Sequence, residues 1–196
     1  MPQLHPAVRA PLRDVVTRRL ALRRLGAQDL GELTTMFADR AVWSFEYDRG
    51  LTGAETQAFL DRQMRLWTEC GFGGCAVTHR ADPALIGVAG LGVATVAHAL
   101  LPEVTIGWRF APDAWGHGYA TEAASALLDQ AFTTMGLDRV GCVTDARNQR
   151  SIAVAGRLGL SVIADTNVPR DDGAGEATAR LLHVSRDDWF TRPGRS

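Results

Sequence analysis

The stretch Ile106-Gly-Trp-Arg-Phe-Ala-Pro-Asp-Ala-Trp-Gly-His-Gly-Tyr-Ala-Thr-Glu-Ala123 reads as a strand, a glycine-rich turn and the start of a helix in immediate succession. Gly116 and Gly118 let the backbone approach a ligand without interference from a Cβ atom. The free N–H groups of the following helix point outward with the positive end of its dipole. This is the architecture of an anion cradle, suited to a pyrophosphate. Two familiar phosphate loops fit poorly. A Walker loop ends in Gly-Lys-Ser/Thr and the chain contains no lysine, while a dinucleotide fingerprint asks for glycine or alanine where Thr121 stands.

On either side of the cradle, strand and helix patterns alternate. Thr17 to Leu25 has partial period-two alternation and reads as a first strand. Gln28-Asp29 opens a helix with Leu30, Leu33 and Phe37 on one face, and a second helix is expected from about Ala54 to Glu69. Gly73 to Arg80, Leu85 to Thr95 and Val104 to Phe110 read as an antiparallel meander, with Ala81-Asp-Pro-Ala84 as its first turn. A helix from Tyr119 to Met135 carries Ala120, Ala123, Leu127, Ala131 and Met135 along one stripe and stops at Gly136. Arg139 to Thr144 is a strand, Gln149 to Leu158 a short helix, Leu160 to Asp165 a strand, Asp165 to Ala177 a mobile loop and Thr178 to Val184 a last strand. The expectation is one α/β domain over residues 15–190, its mostly antiparallel sheet of about seven strands flanked by helices. A loosely ordered arm at 1–14 precedes it and a tail at 191–196 follows.

Composition narrows the function classes. A chain of 196 residues that is 46% hydrophobic is sized for one core. A net charge of −1 gives no support for general nucleic-acid binding. All twenty-one basic residues are arginine, so no internal lysine can be acetylated. Cys70, Cys75 and Cys142 lack the spacing of a disulfide framework or zinc site, which points to a reducing cytoplasm and no metal. No apolar run approaches a membrane span, and residues 1–13 lack a signal peptide's apolar core.

Within the quoted stretch, Trp115-Gly-His-Gly-Tyr-Ala120 resembles the acetyl-CoA loop of the GNAT N-acetyltransferase superfamily, Gln/Arg-x-x-Gly-x-Gly/Ala. Gly118 and Ala120 match, and Trp115 replaces the usual first residue. The longer string is similar to the Rim-type ribosomal-protein acetyltransferases and their small-molecule relatives. Asn148-Gln-Arg-Ser151, Arg157-Leu-Gly-Leu160 and His183-Val-Ser-Arg-Asp-Asp-Trp189 resemble further elements of that branch, so the likeness covers roughly residues 15 to 190. It implies a V-shaped opening for acetyl-CoA between the fourth and fifth strands, Val104 to Phe110 and Arg139 to Thr144. Phe110 and nearby backbone would hold the pantetheine and thioester, Gly116, His117, Gly118, Tyr119 and Ala120 the pyrophosphate, and Asn148 the pantetheine arm.

The catalytic groups are less sharply marked. Asn148 reads locally as a helix N-cap with Ser151 in the first turn. By resemblance Ser151 is the candidate proton donor to the thiolate, because the tyrosine often used for this task is replaced by Ala155. Glu103 is a candidate base, two residues before Thr105, which occupies the position of a glutamate in related sequences; a solvated carboxylate is its plain alternative. Trp43, Glu46 and Asp48 alternate aromatic and acidic groups in a predicted loop, a composition suited to a cationic amine, to core packing or to a homodimer contact. The expected activity is direct acetyl transfer to a small primary amine or a protein N-terminus. A non-catalytic acyl-CoA sensor is the alternative.

Overall fold

Among the described residues, eight strands form one open sheet in the order β1-β2-β3-β4-β5-β6-β8-β7. The computed structural model describes residues 5–96, 98–170, 173 and 175–192. The strands are β1 (Val15–Val16), β2 (Leu20–Arg24), β3 (Gly74–His79), β4 (Asp82–Val93), β5 (Val104–Phe110), β6 (Arg139–Asp145), β7 (Ser161–Pro169) and β8 (Glu176–Ser185). The helices are α1 (Leu30–Phe37), α2 (Gly53–Glu69), α3 (Tyr119–Thr133), α4 (Gln149–Arg157) and α5 (Arg186–Thr191). Every neighbouring pair is antiparallel except β5 and β6, which run parallel on either side of the α3 crossover.

Period-two alternation divides the sheet's side chains between two cores. Cys75, Val77, Ala89, Leu91, Val104, Ile106 and Phe110 pack with Ala123, Leu127 and Ala131 of α3. Ala76 and Val88, one residue out of phase, pack with Leu33, Phe37 and Leu60 from α1 and α2. The small residues of α3 allow close approach, as the stripe predicted. α2 starts at a capping box in which Thr52 and Glu55 exchange bonds with each other's backbone amides.

Three expectations change. Residues 5–14 are docked rather than loose: Val8 and Leu12 are buried, Arg9 N donates to Met135 O and Leu12 N to Gly71 O. Residues 1–4 and 193–196, within the expected arm and tail, lie outside the described residues. β4 begins at Asp82, so the β3–β4 turn is tighter than a four-residue turn over 81–84, and register shifts around Thr78 absorb the difference. The expected mobile loop after Asp165 is largely sheet, because β7 continues to Pro169 and β8 starts at Glu176. Backbone pairing and the Asp165–Arg180 ion pair at 2.8 Å override the polar composition that suggested a loop.

Candidate active site

β5 and β6 are in register at Thr105↔Gly141, near the start of both strands, and the pairing continues no further. Leu101 and Pro102 cover the sheet face at this point: a Cβ on Gly141 would lie 2.9 Å from Leu101 Cδ1 and 3.1 Å from Pro102 Cδ. Beyond it the strands border a cleft of about 340 Å³ whose lining includes Thr105, Trp108, Arg109, Thr144, Asn148 and Ser151. An adjoining cavity of about 480 Å³ shares Glu46, Thr95 and Val143 with it and extends under the β7–β8 hairpin.

The cradle forms as the glycines dictate. Gly116 and Gly118 have φ of 81° and 77°, left-handed values that favour glycine, and Gly118 is the residue on which α3 starts. No backbone or side-chain acceptor among the described residues takes the amides of Gly116, His117, Gly118, Tyr119, Ala120 or Thr121. Nothing lies within 4 Å of where a Cβ on Gly116 would sit. This row of unsatisfied donors at a fifteen-residue helix fits a pyrophosphate. The side chain of Tyr119 faces away from that role: its ring stacks on His117 at 5.4 Å, meets the edge of His79 at 4.8 Å and lies under Arg19 at 4.6 Å.

α3 is pinned by the turn of the first hairpin, between β1 and β2. The Glu122 carboxylate accepts from Thr17 Oγ1 at 2.6 Å, Arg19 N at 2.9 Å and Arg19 Nε at 2.6 Å. Burial opposes ionisation, but these bonds together with the Arg19 charge hold its pKa below the ordinary value.

Asn148 and Ser151 come together in the cleft wall. Asn148 Oδ1 accepts from Ser151 N at 3.1 Å, the N-cap bond expected from their spacing. The cap engages the Ser151 amide and leaves its hydroxyl without a bond to any described residue. Ala155, at the position where the resembled family often carries a tyrosine, is fully buried in the α3-side core.

The structure does not bring the remaining candidates together. Phe110 is a core residue: its ring fills the space over Gly87, and its carbonyl accepts from Trp115 Nε1 at 2.9 Å. Glu103 is absent from both cavity walls and sits 3.2 Å from His5 Nε2 of the docked N-terminal segment. The two-residue strand parity used to bring it beside Thr105 fails because β5 begins only at Val104. Asp48 has φ of 52° and pairs with Arg40 at 2.9 Å on the surface. Trp43 is buried against Phe37 and Phe59, so packing claims it.

Glu46 alone of that loop trio reaches the cleft, and it lines both cavities. Arg109 holds it there. The guanidinium donates to Val42 O at 2.6 Å and to Glu46 Oε1 at 2.8 Å, and lies 3.6 Å from the Trp43 ring centroid. Glu46 Oε2 is only loosely engaged, at 3.5 Å. Arg109 was not among the residues expected from sequence, although a signal was present: it is a charged side chain in mid-strand on the face opposite Ile106 and Phe110.

Residues 19–161 match the model of the acetyltransferase (GNAT) domain. The chain is 24% identical over 153 residues to the uncharacterized N-acetyltransferase YoaA of Bacillus subtilis, covering 74% of this chain and 80% of YoaA. A Bacillus anthracis GNAT-family acetyltransferase superposes with a TM-score of 0.74 at 20% identity, over 89% of this chain and 99% of that one. The ribosomal-protein-S5-alanine acetyltransferase of Vibrio fischeri gives 0.71 at 16% identity, over 90% and 98%. The domain match spans most of the sequence, and the open β5–β6 pair beside a glycine cradle is the arrangement expected from the resemblance: the chain belongs to the GNAT acetyltransferase family.

Proposed function

We propose that this acetyltransferase is an acetyl-CoA-dependent N-acetyltransferase that works by direct transfer to a primary amine, carried by a small molecule or by a protein N-terminus. The observation that carries the reading is the cleft where β5 and β6 part, flanked by six backbone amides with no acceptor among the described residues. Acetyl-CoA supplies the activated acyl group as a thioester. The amides of residues 116–121 bind the pyrophosphate, and the unpaired backbone edges of β5 and β6 are available to the pantetheine. Asn148 orients the first turn of α4, and Ser151 Oγ holds the proton for the leaving sulfur.

On the acceptor side, Glu46 Oε2 attracts the amine cation and, once the ion is desolvated, takes a proton to leave a neutral nucleophile. Arg109 fixes the carboxylate for that task through Oε1. Two buried free thiols, Cys75 and Cys142, accord with a cytoplasmic setting. The test is release of CoA thiol from acetyl-CoA over a panel of small amines and short peptides, with CoA binding measured by calorimetry. Release with one acceptor class supports the enzyme and identifies its substrate side. Binding without release across the whole panel refutes the transferase reading, and absence of binding refutes the cradle.

A further inference from the structure

A pyrophosphate held by neutral amides still carries its full charge, and a helix N-terminus offsets about half an elementary charge. A cationic side chain at the cradle is therefore expected, yet residues 116–121 include no arginine. Among the described residues, two guanidinium groups touch the loop or the first turn of α3. Arg19 lies 3.6 Å from the position of a Cβ on Gly118, but its charge is matched by Glu122 at 2.6 Å. That pair contributes little net potential and serves to pin α3. His117 is engaged by stacking on the Tyr119 ring.

Arg150 differs from both. It is exposed on the first turn of α4, forms no ion pair with a described acid, and its guanidinium lies 4.5 Å from the centroid of the Trp115 ring. Asp113, exposed two residues before Trp115, makes no ion pair with it either. Trp115 is itself fixed, because its Nε1 donates to Phe110 O at 2.9 Å. The indole thus forms a rigid shelf immediately before Gly116, and stacking leaves the guanidinium edge and its N–H groups available to an anion. We infer that Arg150, presented by Trp115, is the cationic side chain that completes the pyrophosphate site. Trp115, at the position where the resembled loop carries glutamine or arginine, acts as the positioning residue for it.

This inference rests on the acetyl-CoA reading, and the experiment separates the two. Calorimetry of the full-length protein with CoA and with dephospho-CoA is run on the wild type, Arg150→Gln and Arg150→Lys. Steady-state KM values are taken with acetyl-CoA and with S-acetylpantetheine, which lacks phosphates. Arg150→Gln weakens CoA and dephospho-CoA alike by about tenfold at low salt, and the gap narrows as salt rises. Arg150→Lys retains part of the affinity. The variant-to-wild-type KM ratio rises for acetyl-CoA and stays near one for S-acetylpantetheine.

Failure of the wild type to bind CoA overturns the functional reading itself. Wild-type binding with Arg150→Gln within twofold overturns the assignment of Arg150 alone. Equal loss for S-acetylpantetheine reduces Arg150 to a structural role and likewise overturns it. Loss for CoA but not for dephospho-CoA moves the guanidinium to the 3′-phosphate and overturns the pyrophosphate assignment.

Discussion

The Arg109–Glu46 pair allows a quantitative test of how the proposed acceptor side is built. Arg109→Met keeps an apolar stem over Trp43 while removing every donor. Two unit charges about 4 Å apart attract by about 1 kcal/mol in water and about 4 kcal/mol near a protein surface. The two side chains are 24% and 35% exposed, so screening brings the expected coupling down to about 1 kcal/mol. Arg109→Met also strips Val42 O, in a buried residue, of its charged donor, worth about 2 kcal/mol. The single substitution therefore costs about 3 kcal/mol and Glu46→Gln about 1 kcal/mol or less. The double variant should fall short of their sum by about 1 kcal/mol in urea denaturation at low ionic strength. Single effects that add to within about 0.3 kcal/mol would show that the pair does not cooperate, and the claim that Arg109 fixes Glu46 would fall.

Ser151→Ala should lower kcat with little change in CoA affinity or melting temperature, since the cap bond uses the Ser151 amide; an unchanged kcat removes the hydroxyl as acid. Asn148→Ala should cost about 1 kcal/mol of stability, read by thermal melting, and raise the KM for acetyl-CoA. The Glu55 carboxyl is lowered from 4.5 to about 2, chiefly by its hydrogen bonds from Arg49 and then by those from Thr52. A depressed carboxylate stabilises above its unfolded pKa, so the melting-temperature deficit of Glu55→Gln should be full above 4.5 and vanish as pH falls toward 2. A deficit independent of pH would contradict that origin. Cys75 and Cys142, buried and pushed up to about 12, should resist an aromatic disulfide reagent until unfolding, while half-buried Cys70 reacts first.

The parts of the fold legible in sequence were those written in local chemistry. The glycines at 116 and 118, the small-residue stripe of α3, the Asn148 cap and the alternation of β5 each express a rule that acts within one turn or one strand. Contacts between distant segments were not legible. The polar run after Asp165 became strand because β8 lies beside it, and Glu103 was drawn to His5, almost a hundred residues earlier in the chain. Trp43, which ends a 3-10 turn over Arg40–Trp43, and Asp48 are close to Glu46 in the chain, yet only the packing of Phe37 and Phe59 on one side and Arg40 on the other decides that neither lines the cleft. Arg109 shows the converse case, in which a charge placed in mid-strand makes sense only once Glu46 arrives from another layer.

The order β6-β8-β7 places a late segment of chain between two earlier ones. As the polypeptide leaves the ribosome, β7 emerges with no neighbour to pair with, and β6 has one unmade edge until Glu176 to Ser185 follow. The wall of the cleft that carries Thr144 is thus completed only when β8 slides between them. A nascent chain arrested before that point exposes two strand edges at once, so truncations ahead of Glu176 should form aggregates rather than a smaller working enzyme.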